Sequence, residues 1–252
     1  MIYFRRNGLR VAESYYESAG EEPVKADIHR MTTSVPLDAL RDRERSGHCL
    51  VIDLTQSEDA LFAGMNETTR QMVKKGMKDE MTCTCDVTCT PPVIEAFCEY
   101  YDGFAATKGL EKVFRQRLFL LAEQQRLAIT NVAFNDGMAL AWHAYLRTPE
   151  RAVLLYSASH FRQLKDDPRS KAIMRANRFL HWNDMVAFRN LGLTVYDMGG
   201  LDAAGKTEET KKIAQFKMAF GGSVAPVYSY TAPVSLAGIV ACKVLAMMGV
   251  NY

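Results

Sequence analysis

The sequence predicts an α+β fold, a central mixed and mostly antiparallel sheet flanked by helices. Three observations carry that expectation. Residues 127–134, 138–146 and 152–159 are strand-like runs joined by the turn signals Asn135-Asp136-Gly137 and Thr148-Pro149-Glu150. A long helical pattern over 168–190 follows, with Asp167 as its expected cap, Pro168 as its first residue and Gly192 beyond its end. Two further strand-like runs, 193–198 and 224–232, close the pattern. Three meandering strands, a helix and more strands make a mixed sheet with a helix packed on it.

The first half of the chain supplies the flanking elements. Residues 49–54 (CLVIDL) read as a short buried strand. A helix is expected over 57–78, starting at a Ser or Asp cap and carrying Leu61, Met65, Met72 and Met77. Its far end is basic, with Arg70, Lys74, Lys75 and Lys78. Residues 82–90 alternate as a strand does. Pro91-Pro92 then punctuates the chain, and an aromatic-rich helix over 93–108 is closed by Gly109. Another helix is expected over 114–122. Residues 1–45 are mixed, with several charges and few periodic patterns. Residues 1–48 are therefore set apart as an N-terminal extension or reduced first subdomain, and 49–252 as the main domain. No internal repeat or low-complexity segment interrupts either part.

With 252 residues, 48% of them hydrophobic, the chain can bury a large core. Its 31 basic and 29 acidic residues leave a net charge of +2, which argues against general duplex DNA binding. The two arginines of MIYFRRNGLR precede no apolar stretch, so a secretory leader is not expected. No apolar run reaches the roughly 20 residues that span a bilayer. The expected location is cytoplasmic. The nearest approach to a span, 234–250, is interrupted by Lys243 and reads as a core or docking helix. The alternative is a peripheral contact with the inner face of a membrane. Of the six cysteines, Cys83, Cys85 and Cys89 cluster in CTCDVTC. No second pair exists elsewhere, and the period-two spacing fits a strand, so no metal site is expected and the thiols are read as reduced.

Four groups of residues carry the candidate chemistry. On the strand 138–146, Ala139, Ala141, His143 and Tyr145 share one face. With the next turn near Pro149, His143 also shares that face with Leu155, Ser157 and Ser159. This is either the floor of a cleft or simply a polar sheet face. On the helix 168–190, Asn177, His181 and Asp184 fall on one stripe, with Ile173, Met174 and Phe188 among them. Phe179, Trp182 and Val186 fall on the other side. The polar stripe is either a structural hydrogen-bond network or part of a site. The segment 162–178 carries Arg162, Lys165, Arg169, Lys171, Arg175 and Arg178 against Asp166 and Asp167. At the mouth of a helix it suits phosphate, or it is a solvated basic face. Finally, Asp197, Gly199 and Gly200 in YDMGG, and Lys217, Gly221 and Gly222 in QFKMAFGG, pair glycines with a lysine after apolar runs. Glycine pairs allow close backbone approach to a ligand, and Lys217 is placed to neutralise a phosphate or a developing oxyanion.

YDMGG, a polar linker and QFKMAFGG resemble the YDFGG and FKxxFGG signature of Fem-type transferases, which build peptidoglycan cross-bridges from aminoacyl-tRNA. Residues 54–78 resemble the helix upstream of that signature, and the order of the strands and helices is that of the middle of a GNAT fold. The resemblance covers roughly residues 50–230. It implies a GNAT-like acyltransferase fold and places Lys217 at a donor or acceptor phosphate. It assigns no role to His143 or His181. The chain departs from the family in length, with room for one GNAT-like domain, and has no long coiled-coil arm. Residues 160–178 also contain no glycine, unlike the usual coenzyme A loop. It is similar in these respects to short Fem-related acyltransferases of envelope polysaccharides.

The expected function is transfer of an acyl or aminoacyl group to an amine of a cell-envelope sugar or peptidoglycan-type precursor. The acceptor is then a small molecule, a nucleotide sugar or a lipid-linked sugar. The donor is an aminoacyl-tRNA, an acyl-CoA or an acyl carrier protein, and no permanently bound cofactor is expected. A coenzyme-A-dependent acetyltransferase of a small amine and a non-catalytic binding module in polysaccharide assembly are the rival readings. The enzyme would mainly position the reactants. His143 is the first choice of base, His181 and Asp184 the next.

Overall fold

The computed structural model describes residues 1–16, 24–161, 164, 166–202 and 207–247. Its strands are β1 (Ile2–Arg6), β2 (Leu9–Tyr15), β3 (Ile28–Thr33), β4 (Glu44–Asp53), β5 (Met81–Asp86), β6 (Leu127–Phe134), β7 (Ala139–Arg147), β8 (Arg151–Ser159), β9 (Val195–Gly200) and β10 (Ser223–Pro233). Its helices are α1 (Glu58–Gly64), α2 (Glu67–Gly76), α3 (Pro91–Lys108), α4 (Arg115–Glu123), α5 (Ser170–Asn190), α6 (Glu208–Met218) and α7 (Leu236–Met247). The expected mixed, mostly antiparallel sheet with flanking helices is the architecture observed.

The chain divides into two compact units. One takes in Met1–Cys49 and the chain from Val224 onward; the other is Leu50–Ser223. In the first, the strand order is β1-β2-β3-β10 with the start of β4 beyond β10. The N-terminal stretch, expected to be weakly patterned, is therefore three strands. Asn7-Gly8 turns β1 into β2 with both residues at positive φ, as a two-residue hairpin requires. β10 joins this unit because it pairs antiparallel with β3, from Tyr228 opposite Thr33 to Pro233 opposite Ile28. Asp27 anchors the start of α7. Its carboxylate accepts from Arg10 and from the Ser235 hydroxyl at 2.7 Å. Gly238 presses against the Asp27 carbonyl so closely that any Cβ there would overlap it. The helix α7 thus turns Gly238 inward. Of the core or docking helix expected over 234–250, the described part, to Met247, leaves Leu236, Val240 and Met247 exposed and so does not serve as a core helix; residues 248–250 lie outside the described residues. No described helix is long and apolar enough to cross a membrane.

In the second unit the order runs from the end of β4 through β9-β8-β7-β6 to β5. β5 to β8 form an antiparallel meander, and β9 joins β8 in parallel. The β8–β9 pairing covers only Arg151–Val195, Ala152–Tyr196 and Val153–Asp197. The helix α3 lies on the Trp142 face of the sheet, through Phe97 and Tyr100, and α5 lies on the opposite face, against β5, β6 and β7. The strand expected over 82–90 is β5, which ends at Asp86 and lies at the end of the strand order, with Cys83 opposite Val132 and Cys85 opposite Thr130.

Three boundaries differ from expectation for local reasons. The helix expected over 57–78 is two, because Met65 is extended and Asn66 starts a new helix, its side chain accepting from Thr69 N at 2.8 Å. The long helix starts at Ser170, not Pro168. Asp167 does not cap it; its carboxylate takes the Arg169 amide and guanidinium instead. The polar linker expected before QFKMAFGG contains the helix α6, started by a reciprocal Thr207–Thr210 capping box.

The pair Gly221-Gly222 is explained by the fold. Both residues have positive φ. A Cβ on Gly221 would lie 2.5 Å from the Gly64 carbonyl, and one on Gly222 would overlap the Val51 carbonyl. The close approach is to the chain's own backbone, at the end of α1 and in β4. Gly222→Ala is expected to cost roughly 2–4 kcal/mol, read as an earlier urea midpoint, because it adds both strain and overlap. Gly64→Ala, with no atom within 4 Å of its added Cβ, is expected to leave the midpoint within about 0.5 kcal/mol of wild type.

Candidate functional site

The strand β7 brings His143 and Tyr145 to the face covered by α5, where Asn177, His181 and Asp184 point back at them. His143 pairs across the sheet with Thr130 and Ser157, so the expected odd-to-odd register holds there. A bulge between Ala144 and Tyr145 then shifts it, setting Tyr145 opposite Leu154. The stripe on α5 and the strand face are thus one cluster. His143 Nδ1 lies 2.7 Å from Asp184 Oδ2, and Nε2 lies 2.8 Å from Asn177 Oδ1. Tyr145 donates to the same Asp184 oxygen at 2.7 Å, and its hydroxyl is 2.7 Å from that of Tyr196 on β9. Tyr196 Oη is 2.6 Å from His181 Nδ1. The His143 and His181 rings lie 4.2 Å apart, centroid to centroid. His143, Tyr145, His181, Asp184 and Tyr196 are all at most 1% exposed.

Enclosure sets the protonation states. Burial first, and then the nearby His143, Lys217 and Arg178, hold His181 well below the ordinary histidine range, so the ring is neutral. Burial, then Asp184, pushes both tyrosine hydroxyls well above theirs. The same two causes raise Cys85 to about 12, and Cys83 further, so both stay thiols. His181 Nε2 makes no hydrogen bond among the described residues. Around that ring stand Phe216 and Phe220, at 5.7 and 5.1 Å between centroids.

Two cations border His181. Lys217 on α6 donates to the Gly200 carbonyl at 2.7 Å. Arg178, one helical turn before His181, lies 4.7 Å over the Phe216 ring. Among the described residues it has no carboxylate partner, and its Nε is buried without a hydrogen bond. A half-buried guanidinium in that condition is poised for an anion.

The rest of the expected phosphate segment is differently employed. Arg162 and Lys165 lie outside the described residues. Arg175 is held by Asp79 at 2.7 Å, and Arg169 by Asp136 and Asp167. They line an open groove of about 430 Å³ whose charges already alternate in sign. Among the described cations of this segment, Arg178 is the arginine found half-buried without an acid. Asp197 is a clamp: it accepts from Arg151 at 2.9 Å and from the Gly199 amide at 2.8 Å. Gly199 needs its positive φ, and a Cβ there would sit 3.1 Å from the Leu154 carbonyl. Trp182 stacks edge-on against Phe62, with ring centroids 5.4 Å apart, in the core. Tyr196 escapes sequence reasoning because the glycines of YDMGG dominate that motif. Its parity on β9 is the signal that could have found it.

His143, His181 and Asp184 offer three ligand atoms within 4.8 Å of one another, a set of the kind that holds a metal ion. Those of His143 and Asp184 are hydrogen-bonded to each other, and Tyr145, Tyr196 and Asn177 complete the surrounding network.

Among solved structures, the chain is similar to FemX, with a TM-score of 0.63 and 14% identity over 86% of this chain and 75% of that one. It is also similar to the C-terminal domain (DUF2156) of a putative lysylphosphatidylglycerol synthetase from Agrobacterium fabrum, at TM-score 0.52 and 18% identity over 86% and 72% of the two chains. A third likeness is to L-PGS from Bacillus licheniformis, at TM-score 0.50 and 13% identity over 88% and 72%. No family model matches the chain, and no curated protein matches it. At these identities the likeness establishes a fold and nothing finer.

The depressed His181 makes a testable demand on stability. The unfolded chain has an ordinary histidine there, of pKa about 6.5, which takes up a proton that the folded ring refuses. The contribution is complete above that value and is lost as pH falls below it. The urea midpoint is expected to drop between about pH 8 and about pH 5, and His181→Gln to reduce that drop.

Proposed function

We propose that this chain, whose fold is the GNAT-like fold of Fem-type proteins, transfers an acyl or aminoacyl group from an activated donor to an amine. The observation that carries the reading is a neutral, buried His181 with a bare Nε2, bordered by Arg178 and Lys217. His181, not His143, is then the base, because both ring nitrogens of His143 are already engaged.

The amine nitrogen attacks the acyl carbon and forms the new bond. The developing oxyanion, or a phosphate of either substrate, meets Arg178 and Lys217. His181 Nε2 takes the proton from nitrogen and returns it to the donor oxygen or sulfur as the bond from the acyl carbon to that atom breaks. The likeness to FemX and to a lysylphosphatidylglycerol synthetase domain supports an aminoacyl donor and an acceptor from the cell envelope. The absence of glycine from 160–178 also favours aminoacyl-tRNA over coenzyme A.

A non-catalytic module is the second reading, favoured by the enclosure of His143 and His181, which are 0% and 1% exposed. Purified protein offered acyl-CoAs and aminoacyl-tRNAs with a panel of nucleotide amino sugars separates the two. Transfer is expected with at least one donor, and His181→Ala is expected to lower it by about 10²–10⁴-fold with the circular dichroism unchanged. Arg178→Met is expected chiefly to raise KM. An unaltered rate in the histidine variant removes the base assignment. Binding without turnover across the whole panel establishes the module.

A further inference from the structure

The proton positions in the buried cluster follow from counting donors. Asp184 as a carboxylate only accepts. Tyr145 has one proton, and it goes to Asp184 Oδ2 at 2.7 Å. Its oxygen must then accept the contact with Tyr196 at 2.7 Å, so the Tyr196 proton points to Tyr145. With that proton used, Tyr196 Oη accepts the 2.6 Å contact from His181 Nδ1. The neutral ring therefore carries its hydrogen on Nδ1. On the far side of Asp184, His143 Nδ1 lies 2.7 Å from the same oxygen and 3.1 Å from Tyr145 Oη, whose second lone pair can accept from it, and Nε2 lies 2.8 Å from Asn177 Oδ1.

We propose that the chain His181–Tyr196–Tyr145–Asp184 is a tautomer lock: it holds the hydrogen of His181 on Nδ1 and so leaves Nε2 bare to react. Tyr145, Tyr196 and Asp184 are then positioning residues, acting through His181. This rests on the reading of His181 as the base, but the lock has its own observable. The groups facing His181 are Tyr196 from β9, His143 from β7, Arg178 from α5 and Lys217, Phe216 and Phe220 from α6 and its end. Of these, Tyr196 is the group that hydrogen-bonds the ring.

The direction of the lock makes a distinctive demand. Tyr145→Phe touches nothing on His181, yet it removes the acceptor for the Tyr196 proton. That proton then turns to His181 Nδ1, and the ring hydrogen moves to Nε2. Asp184→Asn has the same sense, because an amide can donate to Tyr145 and reverse every bond down the chain.

Nitrogen-15 spectra of the histidine side chains near neutral pH are the test. Wild type is expected to show His181 protonated at Nδ1, with Nε2 unprotonated. Tyr145→Phe is expected to exchange the two and to lower kcat/KM by about 10²-fold or more, since a protonated Nε2 is no base. The pH profile should lose its lower limb at the same time. Asp184→Asn serves as the second variant should the phenylalanine variant fold poorly, and the same exchange is expected. A His181 that keeps its hydrogen on Nδ1 in the folded variants, or that carries it on Nε2 in wild type, overturns the lock. Full transfer activity in His181→Ala overturns the base reading instead and leaves the spectra to decide the lock alone.

Discussion

A carboxylate enclosed between a helix and a sheet accepts hydrogen bonds and gives none. Asp184 is at that position, 1% exposed, and every polar group around it is arranged to donate. His143 reaches it from β7, Tyr145 from the same strand, and Tyr196 through Tyr145 from β9. One side chain thereby ties α5 to the central strands and sets the direction of each bond out to His181. A half-satisfied version of this network would be worse than an apolar core, so its members stand or fall together.

The consequence is a division of labour between the histidines. His143 is saturated and serves the network. His181, at its end, keeps one nitrogen free and a neutral ring, with cations on either side. Those cations help to keep the ring unprotonated and leave positive charge beside it for an anion. Arg178 sharpens this, because Arg175 on the same helix is neutralised by an acid whereas Arg178 is stacked on Phe216.

Much of the fold is legible along the chain. Asn135-Asp136-Gly137 announces the β6–β7 hairpin, and 127–134 is bounded as expected. Gly109 and Gly192 lie just past helix ends, where positive φ is needed. The stripe Asn177-His181-Asp184 and the face of His143 follow from periods of 3.6 and 2. What escapes is short-range chemistry with weak patterns. Asn66 interrupts a run of good helix formers, and the polar stretch before QFKMAFGG holds a helix. The N-terminal strands are short, although Asn7-Gly8 marks their hairpin.

Periodicity along one element decides which of its residues share a face, and that much is present in the amino-acid order: the residue types, their stripes and the glycine-lysine motif. It carries no information on which face meets which. That His143 stands against Asp184, that Tyr196 closes the link to His181, and that Gly221-Gly222 yields to Gly64 and Val51 depend on pairs far apart in the chain. Such contacts are set by how helix and sheet pack, and the hydrogen-bond partner a buried group finds there fixes its proton.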